Sequence, residues 1–414
     1  MNRTLTRRGR AVLLAATLSV SLIGGGALWF RVKPNSPAGK TAPHVGARTG
    51  ALAAPPASAA SPAGPAIPDM LLAWTPGGLP PHFAERVAGF RGVDRLVAVL
   101  SGTAWLTRSF DDRGALVDHP LSGYAIPLEV AAADPRAYAP FLSPGDRAVL
   151  PLVARGEAAL GTTSAKLRRL GPGGVLAFGG RRVRVAGILP DSAVGAHEVL
   201  VSTRTAATLG VTRPRYLLID PSAGASRTRL TAAIRSLLPA GSPLRVRALG
   251  EVPFFRQGDA VLPPIAMKEA FGEFAAQPLS NGFLRVDPSW QARHIVVADV
   301  PILGQVQCNR ALIPMLRGAL EDVARQGFDR SIDPHGYGGC SVPRFIGEDP
   351  TGDLSHHSWG AAVDFNVPEN AFGAAPHQDP RLVAIFERWG FTWGGRWLVP
   401  DGMHFEFARF PPAH

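Results

Sequence analysis

Hydrophobic and polar residues follow three different patterns along this chain, and each pattern predicts a different structure. The uncharged run from Ala11 to Phe30 has twenty residues, which as a helix would span a bilayer core of about 30 Å. Residues 34–67 are rich in Pro, Ala, Ser and Gly and contain few large apolar side chains. Such a segment cannot offset its ordering entropy, so it is predicted to be a flexible linker. From residue 68 onward, apolar positions recur at strand and helix periods, which predicts mixed α and β structure.

The distribution of charge decides how the apolar run is interpreted. The net charge is +11, and eight Lys and Arg residues lie in the first 50 positions without any Asp or Glu, which leaves +3 for the other 364. This nearly balanced remainder removes the main support for a nucleic-acid partner. Arginines before Ala11 place that end in the cytoplasm. We favour residues 1–33 as a cytoplasmic tip and a single-pass membrane anchor, with helix 11–30 uncleaved and the rest of the chain extracytoplasmic. A cleaved signal peptide followed by secretion is the alternative.

Residues 68–250 are predicted to form a separate extracytoplasmic domain of mixed α and β structure. The pattern of Val175–Leu189 predicts a β-hairpin with Gly179-Gly180 at the turn. Other predicted strands are Arg95–Leu100, Glu198–Ser202 and Tyr216–Asp220, and predicted helices are Ser164–Leu170 and Arg229–Leu238. Residues 163–191 resemble the extracytoplasmic domains of ABC-type permeases and contain no catalytic motif. We therefore expect a positioning or interaction role for this domain, whose partner the residues do not identify.

Side chains that can bind a metal are concentrated in the last segment, residues 251–414. His357 lies seven residues before Asp364, and the alternation through 361–366 predicts a short strand that carries Asp364. His404 begins a second strand-like run. Two histidines and a carboxylate from separate segments suit Zn²⁺, because catalytic zinc takes three protein ligands and leaves one position for water.

Two neighbours of these residues complete the hypothesis. Asp401 precedes His404 by three residues, where its carboxylate would act as a base toward the metal's water. His356 is predicted to point away from His357 and not to be a ligand. Such spacings also occur among ordinary surface residues, so on spacing alone the two interpretations stand level.

A family resemblance favours the metal centre. The stretch SHHSWGAAVD, from Ser355 to Asp364, resembles the S-x-H-x-x-G-x-A-x-D motif of the M15 peptidases, the D-alanyl-D-alanine carboxypeptidase and L-alanyl-D-glutamate endopeptidase family. The stretches GFTWGGRW and DGMHFEF resemble the rest of that signature, and the resemblance covers roughly residues 283–407. It implies an α+β fold whose antiparallel sheet presents the metal, with Asp401 as the catalytic carboxylate. The zinc ligands that it implies are His357, Asp364 and His404.

The resemblance also suggests a catalytic arginine, with one departure from the family pattern. Family members often carry a Tyr- or Gly-rich turn and then an Arg, whereas here Arg344 lies four residues beyond Cys340 rather than beside it. Arg344 would stabilise the oxyanion of the scissile carbonyl, and an exposed loop arginine is the alternative. Arg344 and Arg396 are also the candidates for receiving the terminal carboxylate of a substrate.

Cys308 and Cys340 are the only cysteines in the chain. Export from the cytoplasm favours a disulfide between them, and closing a loop of about 30 residues would contribute about 3–4 kcal/mol. Cys308 precedes a predicted amphipathic helix that ends near Gly327. Cys340 as a zinc ligand or nucleophile is the alternative.

The sequence therefore predicts a membrane-anchored zinc peptidase that hydrolyses peptide bonds in peptidoglycan stem peptides outside the cytoplasm. Carboxypeptidase and endopeptidase action both remain open. The alternative function is a non-catalytic wall-binding or membrane-complex protein that keeps a peptidase-like fold. The presence of all three ligands and of the carboxylate favours the enzyme.

Overall fold

The computed structural model describes residues 70–253 and 255–411. The predicted anchor, residues 11–30, and the predicted linker, residues 34–67, lie outside these ranges. Among the helices of the described residues, none combines the length and the apolar character that crossing a membrane requires.

The described residues form one large sheet and three small ones. The strands are β1 (Leu71–Trp74), β2 (Val93–Leu106), β3 (Arg108–Phe110), β4 (Ile126–Ala133), β5 (Ala158–Gly161), β6 (Val175–Phe178), β7 (Arg181–Leu189), β8 (Val199–Ser202), β9 (Pro214–Pro221), β10 (Arg245–Ala248), β11 (Ala276–Pro278), β12 (Leu284–Val286), β13 (Ile295–Val300), β14 (Gly304–Asn309), β15 (Ala362–Asp364), β16 (Phe391–Trp393) and β17 (His404–Phe407). The α-helices are α1 (Phe83–Ala88), α2 (Pro135–Tyr138), α3 (Leu150–Ala154), α4 (Thr162–Arg168), α5 (Thr203–Thr208), α6 (Arg227–Arg235), α7 (Pro264–Phe271), α8 (Pro288–His294), α9 (Ile313–Arg325) and α10 (Pro380–Arg388).

The large sheet has ten strands in the order β10-β1-β9-β2-β4-β8-β5-β7-β6-β3. Most neighbours are antiparallel, but β4 pairs with β8 and β5 pairs with β7 in parallel. Strand β4 is buried at every position, because side chains pack against both faces of the sheet at its centre. We call residues 70–248, which contain this sheet, the sheet region.

The predicted elements of the sheet region are present in the structure. The predicted hairpin consists of β6 and β7, with Gly179-Gly180 between them, and Gly179 has a positive φ of 61° that suits glycine at a tight turn. The predicted strands Arg95–Leu100 and Tyr216–Asp220 lie within β2 and β9, Glu198–Ser202 begins one residue before β8, and the predicted helices overlap α4 and α6. Local hydrophobic periodicity was therefore a sufficient signal for these elements.

Residues 255–411, which we call the C-terminal region, form the predicted α+β structure with an antiparallel sheet. Its three-stranded sheet has the order β15-β17-β16, and both pairings are antiparallel. Helix α9 buries Leu316, Leu320 and Val323 in the core of this region, as the predicted amphipathic pattern requires.

The predicted disulfide between Cys308 and Cys340 is present, with the two Cα atoms 5.3 Å apart. Cys308 lies in β14 rather than at the start of the following helix, and β14 pairs only with the neighbouring hairpin strand β13. The bond therefore links this hairpin to the loop that leads towards the Ser-His motif.

A buried ion network joins the sheet region to the C-terminal region. Its members are Arg168, Glu198 and Asp118 from the sheet region and Lys268 and Glu273 from the C-terminal region, with Asp118 3.6 Å from Arg168. Glu198 lies 3.0 Å from Arg168 Nη2 and 2.7 Å from Lys268 Nζ. Glu273 lies 3.0 Å from Lys268 Nζ and also contacts Arg168. Burial tends to raise the pKa of Glu273, but the two cations outweigh this effect and lower the pKa to about 2.

Candidate metal centre

A short 3₁₀ turn, His356–Trp359, presents the first histidine of the motif. Ser355 caps the turn, since its hydroxyl accepts a hydrogen bond from the His357 amide. Gly360 ends the turn with φ at 63°, and a Cβ at this position would lie 2.7 Å from the Asn309 amide nitrogen. The serine and the glycine of the motif are thus required by the local backbone geometry that places His357.

Two strands bring the other two predicted ligands together. Asp364 ends β15, His404 begins β17, and the antiparallel register pairs these residues directly. Directly opposed side chains on one face of a sheet lie within contact distance. The same register pairs Ala362 with Glu406, so the small alanine leaves room beside the Glu406 side chain.

The three predicted ligands converge on one point. His357 Nε2 and His404 Nδ1 lie 3.2 Å and 3.0 Å from Asp364 Oδ1, and the two nitrogens are 3.2 Å apart. All three residues are buried, and they are the group of metal-binding side chains that the described residues bring together within 4.8 Å. Two imidazole nitrogens and a carboxylate oxygen match the donor preference of Zn²⁺.

In both His357 and His404, the ring nitrogen that points away from the centre, here called the outer nitrogen, has its own hydrogen-bond partner. His357 Nδ1 lies 3.0 Å from the carbonyl oxygen of Cys340, and His404 Nε2 lies 3.3 Å from Glu406 Oε2. Both partners only accept hydrogen bonds, so we assign the ring protons to these outer nitrogens. Once a metal displaces the proton that His404 Nδ1 otherwise shares with Asp364, this assignment would leave lone pairs on His357 Nε2 and His404 Nδ1, the atoms that face the centre. The residues therefore fit a metal.

The electrostatics of the centre favour a positive charge. Burial tends to lower the pKa of His404, but hydrogen bonds with Asp364 and Glu406 outweigh it and raise the pKa to about 10. Burial tends to raise the pKa of Asp364, but the two histidines hold it well below its usual range. His357 has a lowered pKa because it is buried. The centre thus combines the neutral imidazole of His357 with the carboxylates of Asp364 and Glu406, which stabilise a cation.

Asp401 lies next to the centre with an unpartnered oxygen. Its carbonyl accepts a hydrogen bond from the His404 amide at 3.2 Å, and its own amide donates to the Gly394 carbonyl at 3.0 Å. Its Oδ1 is buried and has no hydrogen-bond partner among the described residues. Burial raises the pKa of this carboxyl to about 6. A free carboxylate beside the ligands is the arrangement that the predicted base requires.

The two candidate arginines lie in different surroundings. Arg344 is half-buried, and its charge acts to lower the pKa of both His357 and Asp401. Arg396 is largely exposed and pairs with Glu387. Of the two, Arg344 is the one whose charge acts on the centre.

Sequence reasoning missed the partners that surround the ligands. His356 lies in the 3₁₀ turn rather than in the predicted strand-like run, and its Nδ1 lies 2.8 Å from Glu406 Oε2. The ring of Trp397 lies 5.2 Å from that of His404. Strand alternation was a signal for Glu406, which shares a face with His404, whereas no local pattern pointed to the other two contacts.

Comparison with known protein families gives one match in the region that holds this centre. Residues 348–407 match the sequence model of a family described as D-alanyl-D-alanine carboxypeptidase. The matched segment contains the three clustered residues and Asp401, but begins after Arg344. The match supports an M15-family peptidase domain in the C-terminal region, as the motif resemblance predicted.

Comparisons with curated sequences and with solved structures do not add a further family or fold assignment. No curated protein sequence matches the chain. Among solved structures, the periplasmic region of MacB from Actinobacillus actinomycetemcomitans has 12% identity and a TM-score of 0.31, covering 43% of this chain and 87% of that one. The extracellular domain of the noncanonic ABC-type transporter YknZ from Gram-positive bacteria has 13% identity and a TM-score of 0.28, covering 43% and 99%. Scores this low do not establish a shared fold.

Proposed function

We propose that the M15-family peptidase domain of the C-terminal region hydrolyses peptide bonds in peptidoglycan stem peptides with the help of a zinc ion. The proposal is supported above all by the convergence of His357 Nε2, Asp364 Oδ1 and His404 Nδ1 beside the unpartnered carboxylate of Asp401. A zinc ion at this position supplies a Lewis acid for the scissile carbonyl and makes a water molecule more acidic.

Asp401 and Arg344 have separate roles in the proposed reaction. Asp401 accepts a proton from the attacking water and passes it to the leaving amine. A carboxyl with a pKa of about 6 suits both steps, because it is ionised at neutral pH and is still basic enough to hold the proton. Arg344, on the loop before the Ser-His motif, donates hydrogen bonds to the developing oxyanion.

The reaction takes place outside the cytoplasm in this proposal, because its substrate is there. Residues 11–30 anchor the chain, and residues 34–67 give the domain its reach toward the cell wall. Amino-terminal sequencing of the mature protein from membranes should begin at or near Met1. An amino terminus beyond Phe30 in secreted material would show that the segment is a cleaved signal peptide.

Incubation of the full chain in detergent with muropeptides, with and without chelator, tests the activity. Mass spectrometry distinguishes release of a terminal D-alanine from cleavage between L-alanine and D-glutamate, and therefore distinguishes a carboxypeptidase from an endopeptidase. Product that disappears with chelator and returns with zinc is the expected result. Stoichiometric zinc without any product would favour the alternative, a wall-binding or membrane-complex protein that has kept a peptidase-like fold.

A further inference from the structure

Glu406 is a buried carboxylate that contacts one of the proposed ligands from behind. Only 2% of its surface is exposed. Its Oε2 lies 3.3 Å from His404 Nε2 and 2.8 Å from His356 Nδ1, and its Oε1 accepts a hydrogen bond of 3.1 Å from the Val261 amide. Both oxygens therefore have a hydrogen-bond partner, Val261 or His404, and His356 adds a close contact that lacks the angles of a hydrogen bond.

These contacts separate the role of Glu406 from that of Asp401. Glu406 has no oxygen free to take a proton from water, and it is not one of the three side chains whose donor atoms converge. Asp401 has a buried oxygen without a partner among the described residues. The two carboxylates near His404 are thus suited to different tasks, one to chemistry and the other to support.

We propose that Glu406 is a positioning residue that orients His404 toward the metal, and that His356 and the Val261 amide hold Glu406 in place. Glu406 accepts a hydrogen bond from the N–H of His404 Nε2. This hydrogen bond selects the tautomer whose Nδ1 faces the centre, and it fixes the orientation of the ring. This inference rests on the proposed function, since it presumes that zinc binds at His404.

The two histidine ligands differ in what holds them. His357 Nδ1 faces the backbone carbonyl of Cys340, which no side-chain substitution removes, whereas His404 Nε2 faces a side chain. Substitutions of side chains that contact the proposed ligands should therefore change metal affinity through His404 rather than through His357. A carboxylate behind a ligating histidine also makes the imidazole more basic and so a better metal ligand.

The central experiment measures zinc affinity of the full chain in detergent, by competition with a chromophoric chelator. Glu406→Gln keeps the shape of the side chain and removes its charge, so zinc should bind about 10–100-fold more weakly than in the parent. The visible spectrum of the Co²⁺-substituted protein should also change, because it reports the geometry of the ligands. Thermal unfolding of the metal-free variant shows whether the fold is retained.

Glu273→Gln is the matched control. Glu273 is also a largely buried carboxylate, and it pairs with Arg168 and Lys268, which keep it ionised, rather than with any proposed ligand. Its substitution should leave zinc affinity and the Co²⁺ spectrum unchanged. An equal loss of affinity in both variants would show a general effect of removing a buried charge and would overturn the inference.

His356→Ala tests the support of Glu406 and keeps the inference testable if Glu406→Gln does not fold. This variant removes the close contact with Glu406 Oε2 without touching a proposed ligand, so it should weaken zinc binding less than Glu406→Gln does. The positioning role would be overturned if Glu406→Gln kept the parental zinc affinity and an unchanged Co²⁺ spectrum. If only His356→Ala folds, the same result in that variant would overturn it. Neither result would contradict the metal centre itself. Failure of the parent to bind zinc would overturn both.

Discussion

The buried ion network and the candidate metal centre are both clusters of buried polar side chains, but they differ in how their charges balance. In the network, Arg168 and Lys268 face Glu198 and Glu273, and Asp118 adds a third carboxylate 3.6 Å from Arg168, so cations are paired with anions at the junction of the two regions. In the centre, the converging atoms are two imidazole nitrogens and a carboxylate oxygen, all of which are electron-pair donors.

This difference indicates what each cluster does. Buried charges are tolerated when they are paired and hydrogen-bonded, and the network meets this condition with its own side chains. The centre directs lone pairs at one another and becomes balanced only when a proton or a metal cation joins it. Burial and perturbed pKa values are common to both clusters, so it is the balance of charge that distinguishes a structural cluster from a binding site.

The largest expected effect comes from removing a ligand. His357→Ala should lose both zinc and peptide hydrolysis, because a catalytic zinc site relies on three protein ligands. Zinc content of the purified protein and turnover of muropeptides measure the two losses. The variant would contradict the assignment if it kept stoichiometric zinc.

Removing the proposed base should separate metal binding from chemistry. Asp401→Asn keeps the shape of the side chain but cannot accept a proton, so hydrolysis should fall by about 10²–10⁴-fold while near-stoichiometric zinc remains. The same two measurements apply, with His357→Ala for comparison. Parental turnover in Asp401→Asn would disprove the mechanism, and loss of zinc would show that Asp401 is a ligand.

Breaking the ion network should lower the stability of the protein and leave zinc binding unchanged. Lys268→Met leaves Glu198 and Glu273 with Arg168 alone, and an uncompensated buried charge should lower the free energy of unfolding by about 3–5 kcal/mol. Zinc stoichiometry of the folded protein should stay at the parental value. Chemical denaturation and metal analysis measure the two quantities, and parental stability would show that the network is not stabilising.

The smallest effect is a pH dependence of stability that comes from the network. The pKa of Glu273 falls from 4.5 to about 2 on folding, so its stabilisation is complete above about pH 4.5 and is lost as the pH falls through 2. Denaturation of chelator-treated protein should show stability falling between about pH 5 and pH 3. Glu273→Gln should be less stable but should show a shallower fall, and an identical slope in both proteins would remove Glu273 as its cause.

Local pattern was enough to predict the elements and the residues that converge in the centre. The hairpin of β6 and β7, the helix α9 and the strands β15 and β17 each follow from periodicity within a few residues. Ser355 and Gly360 are tied to a single turn, in which one caps the first backbone amides and the other adopts the conformation that ends it. Motif residues of this kind are predictable because their role is local.

Tertiary structure decided which side chains meet across the chain. Arg168 and Glu273 are 105 residues apart, and Val261 is 145 residues from Glu406. The first contact depends on how the two regions pack and the second on packing within the C-terminal region, and no periodicity in the sequence encodes either. The sequence by itself therefore determined which three side chains converge and that Asp401 lies beside them. Only the tertiary structure decided what surrounds them, because a buried polar group takes the partner that packing brings within hydrogen-bond distance.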